Sequence, residues 1–238
     1  MADLSSTTAS SVLRFQEGSL AERAYMFIRE GILRGELRLG AALSRRKLAA
    51  ELGMSLVPVS EALQRLEGEG LIETKARVGT RVYMPTAQDM RERYIVREAL
   101  ESQSARLFSE KATSRERMEL CKMAEHMDAL FNRRLDAKED WEFLYQVQNY
   151  HSQLHNRIAE CTGCPPLIRL IEQTHVLVFN WLWDIAAHRP ALPPRFHREL
   201  IDVLAGTDPD ASDKAMRQHI RYGLDGIMRA LDTPTPNP

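Results

Sequence analysis

Apolar residues recur at helical spacing from Leu20 to Leu33, with Leu20, Ala24, Phe27, Ile28 and Ile32 on one face. Gly35 and Gly40 bracket a turn. Ser44 then stands as the N-cap of a short helix through Leu52, with Leu48, Ala49 and Leu52 on one side and Gly53 ending it. Ser55 caps the next helix, whose buried stripe is Val59, Ala62, Leu63 and Leu66. Pro58 falls in its first turn, where a missing N–H costs nothing. Gly68 and Gly70 close that helix, and the pattern changes period. Leu71–Thr74 and Arg81–Met84 read as two β-prone runs about a basic turn containing Gly79. Helix, short helix, tight turn, helix and hairpin make a winged helix-turn-helix. In that motif the last helix enters a major groove and the hairpin tip reaches flanking phosphate or minor groove. A wing domain that binds only protein is the alternative.

After Pro85 no strand-like alternation of any length occurs. Helical segments follow one another with breaks at Thr113–Ser114, Ala137–Asp140, Gly163–Pro166, Arg189–Pro194 and Gly206–Pro209. About six helices in an all-α bundle result. The fold class is therefore mainly α: an N-terminal winged helix-turn-helix plus a C-terminal all-α helical bundle. The expected domains are a disordered arm at 1–17, a DNA-binding domain at 18–85, a helical effector and dimerisation domain at 86–232, and a disordered tail at 233–238.

Composition narrows this little. The chain of 238 residues is 44% hydrophobic and 27% charged, ordinary for a globular protein. No apolar run is long enough to span a membrane, and the N-terminus lacks the basic start and apolar core of a signal peptide, so a cytoplasmic location is expected. Net charge is −1. Up to residue 86 there are 12 basic and 10 acidic residues, leaving 20 and 23 of the totals of 32 and 33 beyond it. Clustering matters more than this slight asymmetry. The runs SRRK at 44–47 and KARVGTR at 75–81 place Arg45, Arg46, Lys47, Arg77 and Arg81 on the second helix and the wing. The three cysteines fit a reducing compartment, and CTGC at 161–164 reads as small residues at a helix end rather than a redox motif.

Chemistry beyond DNA binding rests on histidine. In QNYHSQLHNR, residues 148–157, His151 and His155 lie four apart and share a helix face. That spacing suits a metal pair, half of an active site or two packed rings, and alone does not choose among them.

The segment LSRRKLAAELGMSLVPVSEALQRLEGEGLIETKARVGTRV resembles the DNA-binding domain of GntR-family bacterial transcription regulators over residues 20–84. The remainder resembles the all-helical FCD-type effector domain of the FadR branch, through YIVREALESQSARL, RFHRELIDVLAGTD and AMRQHIRYG. On the DNA side the resemblance implies contacts from Arg46, Ser55 and the wing residues Arg77, Gly79, Thr80 and Arg81. Arg45, Lys47, Leu56, Val57 and Ser60 lie on the same surface. Leu56 and Ser60 stand where relatives carry arginine, so the operator sequence read is expected to differ.

On the effector side the resemblance implies metal ligation by His155, His197 and His219. His151 stands where relatives usually place an aspartate, which gives a three- or four-histidine site. Imidazoles favour zinc, with nickel as the other candidate, over manganese or magnesium. Arg97 would clamp the effector's carboxylate, its alternative being a surface cation paired with Glu98 or Glu101; His175 would join the pocket. His126 and His188 read as solvated or capping residues, and Trp181 and Trp183 as core or interface.

The expected protein is a homodimeric repressor that binds a double-stranded DNA operator and is released by a small organic acid or sugar acid. Effector and DNA would favour different placements of the wing domains about a hinge at 85–88. A regulator whose signal is the metal ion itself, and a zinc metalloenzyme with three histidine ligands, are the alternatives; the latter lacks an HExxH helix and an evident general base.

Overall fold

A computed structural model describes residues 18–134, 140–181 and 192–232. The arm at 1–17, the tail at 233–238, the break residues Ala137 and 189–191, and His188 and Trp183 lie outside the described residues. The chain divides into two compact units, Met1–Met84 and Pro85–Pro238.

The first unit holds α1 (Leu20–Leu33), β1 (Ala42–Leu43), α2 (Arg45–Leu52), α3 (Leu56–Gly68), β2 (Ile72–Lys75) and β3 (Gly79–Val82). Local signals set most of its boundaries. The Ser44 hydroxyl accepts the Lys47 amide and starts α2; Gly53, at a left-handed φ of 62°, stops it. Ala24, Ile28, Ile32, Val59, Ala62, Leu63 and Leu66 form the core between α1 and α3, with Leu71, Ile72 and Val82 beneath.

Three details depart from the pattern-based expectation. Leu20 is the first residue of α1 and is exposed, so it adds nothing to the core. Tyr25 is buried instead: its hydroxyl donates to Glu69 Oε2 at 2.9 Å and its ring lies under the Arg65 guanidinium at 3.5 Å. The hairpin is also displaced. Lys75 pairs with Gly79 and Ile72 with Val82, which puts the turn at residues 76–78 and gives Arg77 the left-handed φ of 65°. β3 also pairs with β1, giving the antiparallel order β1-β3-β2. At two residues, β1 is too short to leave a periodic signal.

The second unit contains six helices among the described residues: α4 (Ala87–Lys111), α5 (Ser114–Arg134), α6 (Trp141–Glu160), α7 (Pro165–Trp181), α8 (Phe196–Leu204) and α9 (Pro209–Asp232). Thr86 and Asp89 form a capping box that opens α4, and Asp140 caps α6 through the Phe143 amide at 2.9 Å. One guanidinium, Arg117, donates to the carbonyls of Ser109, Ala112, Ala205 and Gly206 and so closes the C-terminal ends of α4 and α8 together. Glu98 on α4 accepts from Arg217 and Arg221 on α9, which packs along it. The core residues Phe108, Leu120, Met127, Leu144, Leu154, Ile158, Ile171 and Ile201 are fully buried. The buried face of α4 is unusual in carrying Arg97, Glu101, Ser102, Ser104 and Ser109. Buried charge needs partners, and these partners define the site.

Candidate functional site

In the first unit the exposed cations gather at the start of α2, where Arg45, Arg46 and Lys47 are all solvent-facing. Ser55 is the N-cap of α3 by backbone geometry but makes no side-chain capping bond. Leu56 and Val57 follow it and are 49% and 64% exposed; Ser60 is half-buried one turn on. At the hairpin Arg77 and Gly79 are exposed and Arg81 is half-buried. Thr80 departs from the expectation. It is buried, and its hydroxyl lies 3.2 Å from that of Thr74, so the cross-strand pair uses the group expected at the wing tip.

In the second unit α6, α8 and α9 bring four histidines together. Ring nitrogens of His151, His155 and His219 lie within 4.8 Å of one another. His197 joins at ring level, with centroids 5.1 Å from His151 and 5.3 Å from His219, outside that tightest group. His155 Nε2 is 3.1 Å from His151 Nε2. His155 and His219 are buried, whereas His151 keeps partial exposure along a cavity wall.

Two carboxylates orient the rings. His155 Nδ1 lies 2.5 Å from Glu101 Oε2, and His197 Nδ1 lies 2.7 Å from Asp128 Oδ1. At His197 the ring proton is held on Nδ1 by Asp128, so the neutral imidazole keeps its lone pair on Nε2, the arrangement that metal-ligating histidines use, whereas His155 Nδ1 meets Glu101 in close ion-pair contact without hydrogen-bond geometry. His219 Nδ1 is buried with no hydrogen-bond partner among the described residues, and the ring stacks on Phe196 at 4.4 Å. An imidazole donor set containing an orphaned ring nitrogen on His219 and a carboxylate-fixed tautomer at His197 fits a borderline divalent ion.

Electrostatics keep His151, His155 and His219 deprotonated. Burial, reinforced by the neighbouring imidazoles and Arg97, holds His151 and His219 well below the ordinary histidine range. Burial pushes His155 down to about 4 although Glu101 pulls the other way. Burial opposes the charge on Glu101, but Arg97 and the two adjoining imidazoles outweigh it and hold its carboxyl well below the usual range.

Arg97 is buried, which excludes the surface-cation alternative, and its partner is Glu101 rather than Glu98. Its Nη1 also donates to the Tyr94 hydroxyl at 3.3 Å. The guanidinium lines a partly open cleft with Tyr94, Phe131, His151, His197 and His219. His175 does not line it. Its Nε2 meets Glu101 Oε1 at 2.9 Å and its ring stands 5.6 Å from that of His155, so it braces Glu101 from behind. His126 is exposed and edges onto Tyr150. Cys161 is the C-cap of α6, and burial pushes its thiol up to about 12, which disfavours the thiolate that redox chemistry uses.

Glu101 and Asp128 are the functional residues that sequence reasoning missed. Asp128 follows Met127 and shares a helix face with Ala124 and Phe131, all three buried, so a carboxylate on an apolar stripe was the available signal. Glu101, one turn beyond Arg97, was visible only as a salt-bridge partner.

A winged helix-turn-helix joined to a helical bundle that encloses a polar centre defines a two-domain transcriptional regulator. Residues 20–82 match the model described as bacterial regulatory proteins, gntR family, and residues 92–222 match the FCD domain. The chain belongs to the GntR-family transcriptional regulators that carry an FCD domain, and it is a DNA-binding regulator, not an enzyme. It is 28% identical over 209 residues to a probable D-xylose utilization operon transcriptional repressor of Paenarthrobacter nicotinovorans, covering 87% of this chain and 88% of that one. It is 25% identical over 201 residues to the transcriptional repressor RspR of Escherichia coli, covering 84% and 85%. Among solved structures, a putative GntR regulator from Rhodococcus sp. RHA1 superposes with a TM-score of 0.66 at 26% identity over 92% of this chain and all of that one. Escherichia coli McbR/YncC, at 22% identity, has the same fold with a TM-score of 0.66 over 91% of this chain and all of that one.

Proposed function

We propose that this regulator is a repressor whose operator affinity is set by a small organic or sugar acid, bound at a divalent metal held by His155, His197 and His219 with His151 beside them. The observation that carries the reading is a buried group of imidazoles in which two carboxylates, Glu101 and Asp128, stand against the rings of His155 and His197. A carboxylate among the ligands would offset part of the ion's charge; four imidazoles offset none. The bound ion, zinc or nickel, would supply Lewis acidity and leave positive charge for an anion.

Arg97 supports an anionic effector as well. A guanidinium has more donors than its bonds to Glu101 and Tyr94 use, and the cavity it lines also meets His151, His197 and His219. The protein acts as a homodimer on two half-sites, as helix-turn-helix regulators with palindromic operators do. That several relatives are named repressors supports the sign of regulation. We assign the protein also to the FadR branch and to the cytoplasm.

Metal analysis of tag-free protein, before and after zinc reconstitution, tests the centre. Protein that stays metal-free after reconstitution would sink it. Operator binding is then followed while an organic-acid panel is titrated at constant metal, and while metal is titrated without acid. Release by an acid alone supports the effector reading; release that tracks only metal makes the ion the signal.

A further inference from the structure

The exposed face of α3 is unusual for a helix that reads DNA. Pro58, Val59, Ala62, Leu63 and Leu66 are buried, which leaves Leu56, Val57, Ser60, Glu61 and Gln64 along the opposite face. No cation lies among those five. Arg65, next in line, is tied by Glu22 at 2.7 Å and Glu69 at 3.2 Å and covers the Tyr25 ring. The cations sit to either side, as Arg45, Arg46 and Lys47 on the first turn of α2 and Arg77 at the hairpin tip. Charge for phosphates is therefore separate from the surface available for base edges.

Leu56 and Val57 are adjacent, large and apolar, about half to two-thirds exposed, at the N-terminal turn of α3. That turn of a recognition helix lies deepest in the major groove. The one apolar group a base pair presents there is the thymine C5-methyl. We infer that Leu56 and Val57 read thymine methyl groups, and that this chain selects its operator half-site by apolar contact where an arginine would select guanine. Ser60 and Gln64 supply neutral hydrogen bonds on the same face, and Glu61 can accept from a cytosine amino group but repels phosphate. The inference rests on α3 entering the major groove and is independent of the metal centre.

The test uses full-length protein and duplexes selected by it from a randomised library. In the selected half-site each thymine is replaced in turn by deoxyuridine, which deletes the methyl and leaves every hydrogen-bonding group in place. At one or two positions binding should weaken about fourfold per methyl, the factor for one buried methylene-sized group. Leu56→Ala and Val57→Ala should each lose that sensitivity at one position while melting at the wild-type temperature, since both side chains are largely exposed. A half-site to which deoxyuridine makes no difference, or sensitivity that persists in both variants, overturns the inference while leaving DNA binding intact. If no duplex is selected at all, the groove placement of α3 fails and takes the inference with it.

Discussion

Asp128 performs two tasks from one side chain. Its Oδ1 accepts the His197 ring proton and the His197 amide at 3.0 Å, and its Oδ2 accepts the Arg198 amide at 3.0 Å. It thereby caps α8 from another helix, where the N-cap residue Arg195 has a left-handed φ of 63° and makes no capping bond of its own. Asp128→Ala should cost about 2 kcal/mol, combining a lost cap with a lost charge-assisted hydrogen bond, read from urea denaturation. Glu101→Gln should cost more, about 3–5 kcal/mol, because Arg97 stays buried without its counter-charge. With zinc bound at the proposed centre, it should also weaken metal affinity roughly 10–100-fold, read by competition with a chelating dye. Acid acts on the same group. Unfolded, the imidazoles take a proton near 6.5, whereas burial keeps His151, His155 and His219 neutral far below that, His155 to about 4. Protons therefore favour the unfolded chain. Stability is whole above about pH 6.5 and falls as pH drops from there towards about 4, a loss that His219→Leu should reduce in denaturation curves recorded across that window.

The winged elements were legible because their signals are local. Ser44, Gly53 and Pro58 act within a turn of where they stand, and the 3.6-residue stripe of α3 needs no partner to be seen. The hairpin register was not legible. It depends on cross-strand pairing, and the left-handed turn falls on Arg77 when a glycine stands two residues on. A non-glycine residue there carries strain of about 1–2 kcal/mol, so Arg77→Gly should stabilise the isolated wing by about 1 kcal/mol. If Arg77 meets phosphate, the same change weakens operator binding and lowers the slope of log affinity against log salt by about one. Gel-shift titrations at several salt concentrations, set beside thermal melts, separate the two effects. The histidine group was half legible. Four ligand candidates came from spacing and resemblance, but the acids that orient them lie 54 residues before His155 and 69 before His197, distances over which pattern says nothing.

At the scale of the molecule, the two units have separate cores, and the histidine centre belongs wholly to the second. Ligand binding stabilises only what it binds. Zinc at about 100 times its dissociation constant should therefore raise the stability of the helical unit by about 2.7 kcal/mol and leave the winged unit's transition where it was. Calorimetry resolves this as one moving peak beside a fixed one, and His219→Ala should freeze both. A single peak that moves as a whole would mean that the units unfold together. The double duty of Asp128 adds a way to watch the centre without touching it. Because one carboxylate grips both the ring of His197 and the second and third amides of α8, a pull on that imidazole is transmitted to the peptide groups of residues 197 and 198. Their hydrogen–deuterium exchange becomes a built-in gauge of the centre, slow while the ring is anchored and fast once it turns away, readable with no mutation and no DNA present.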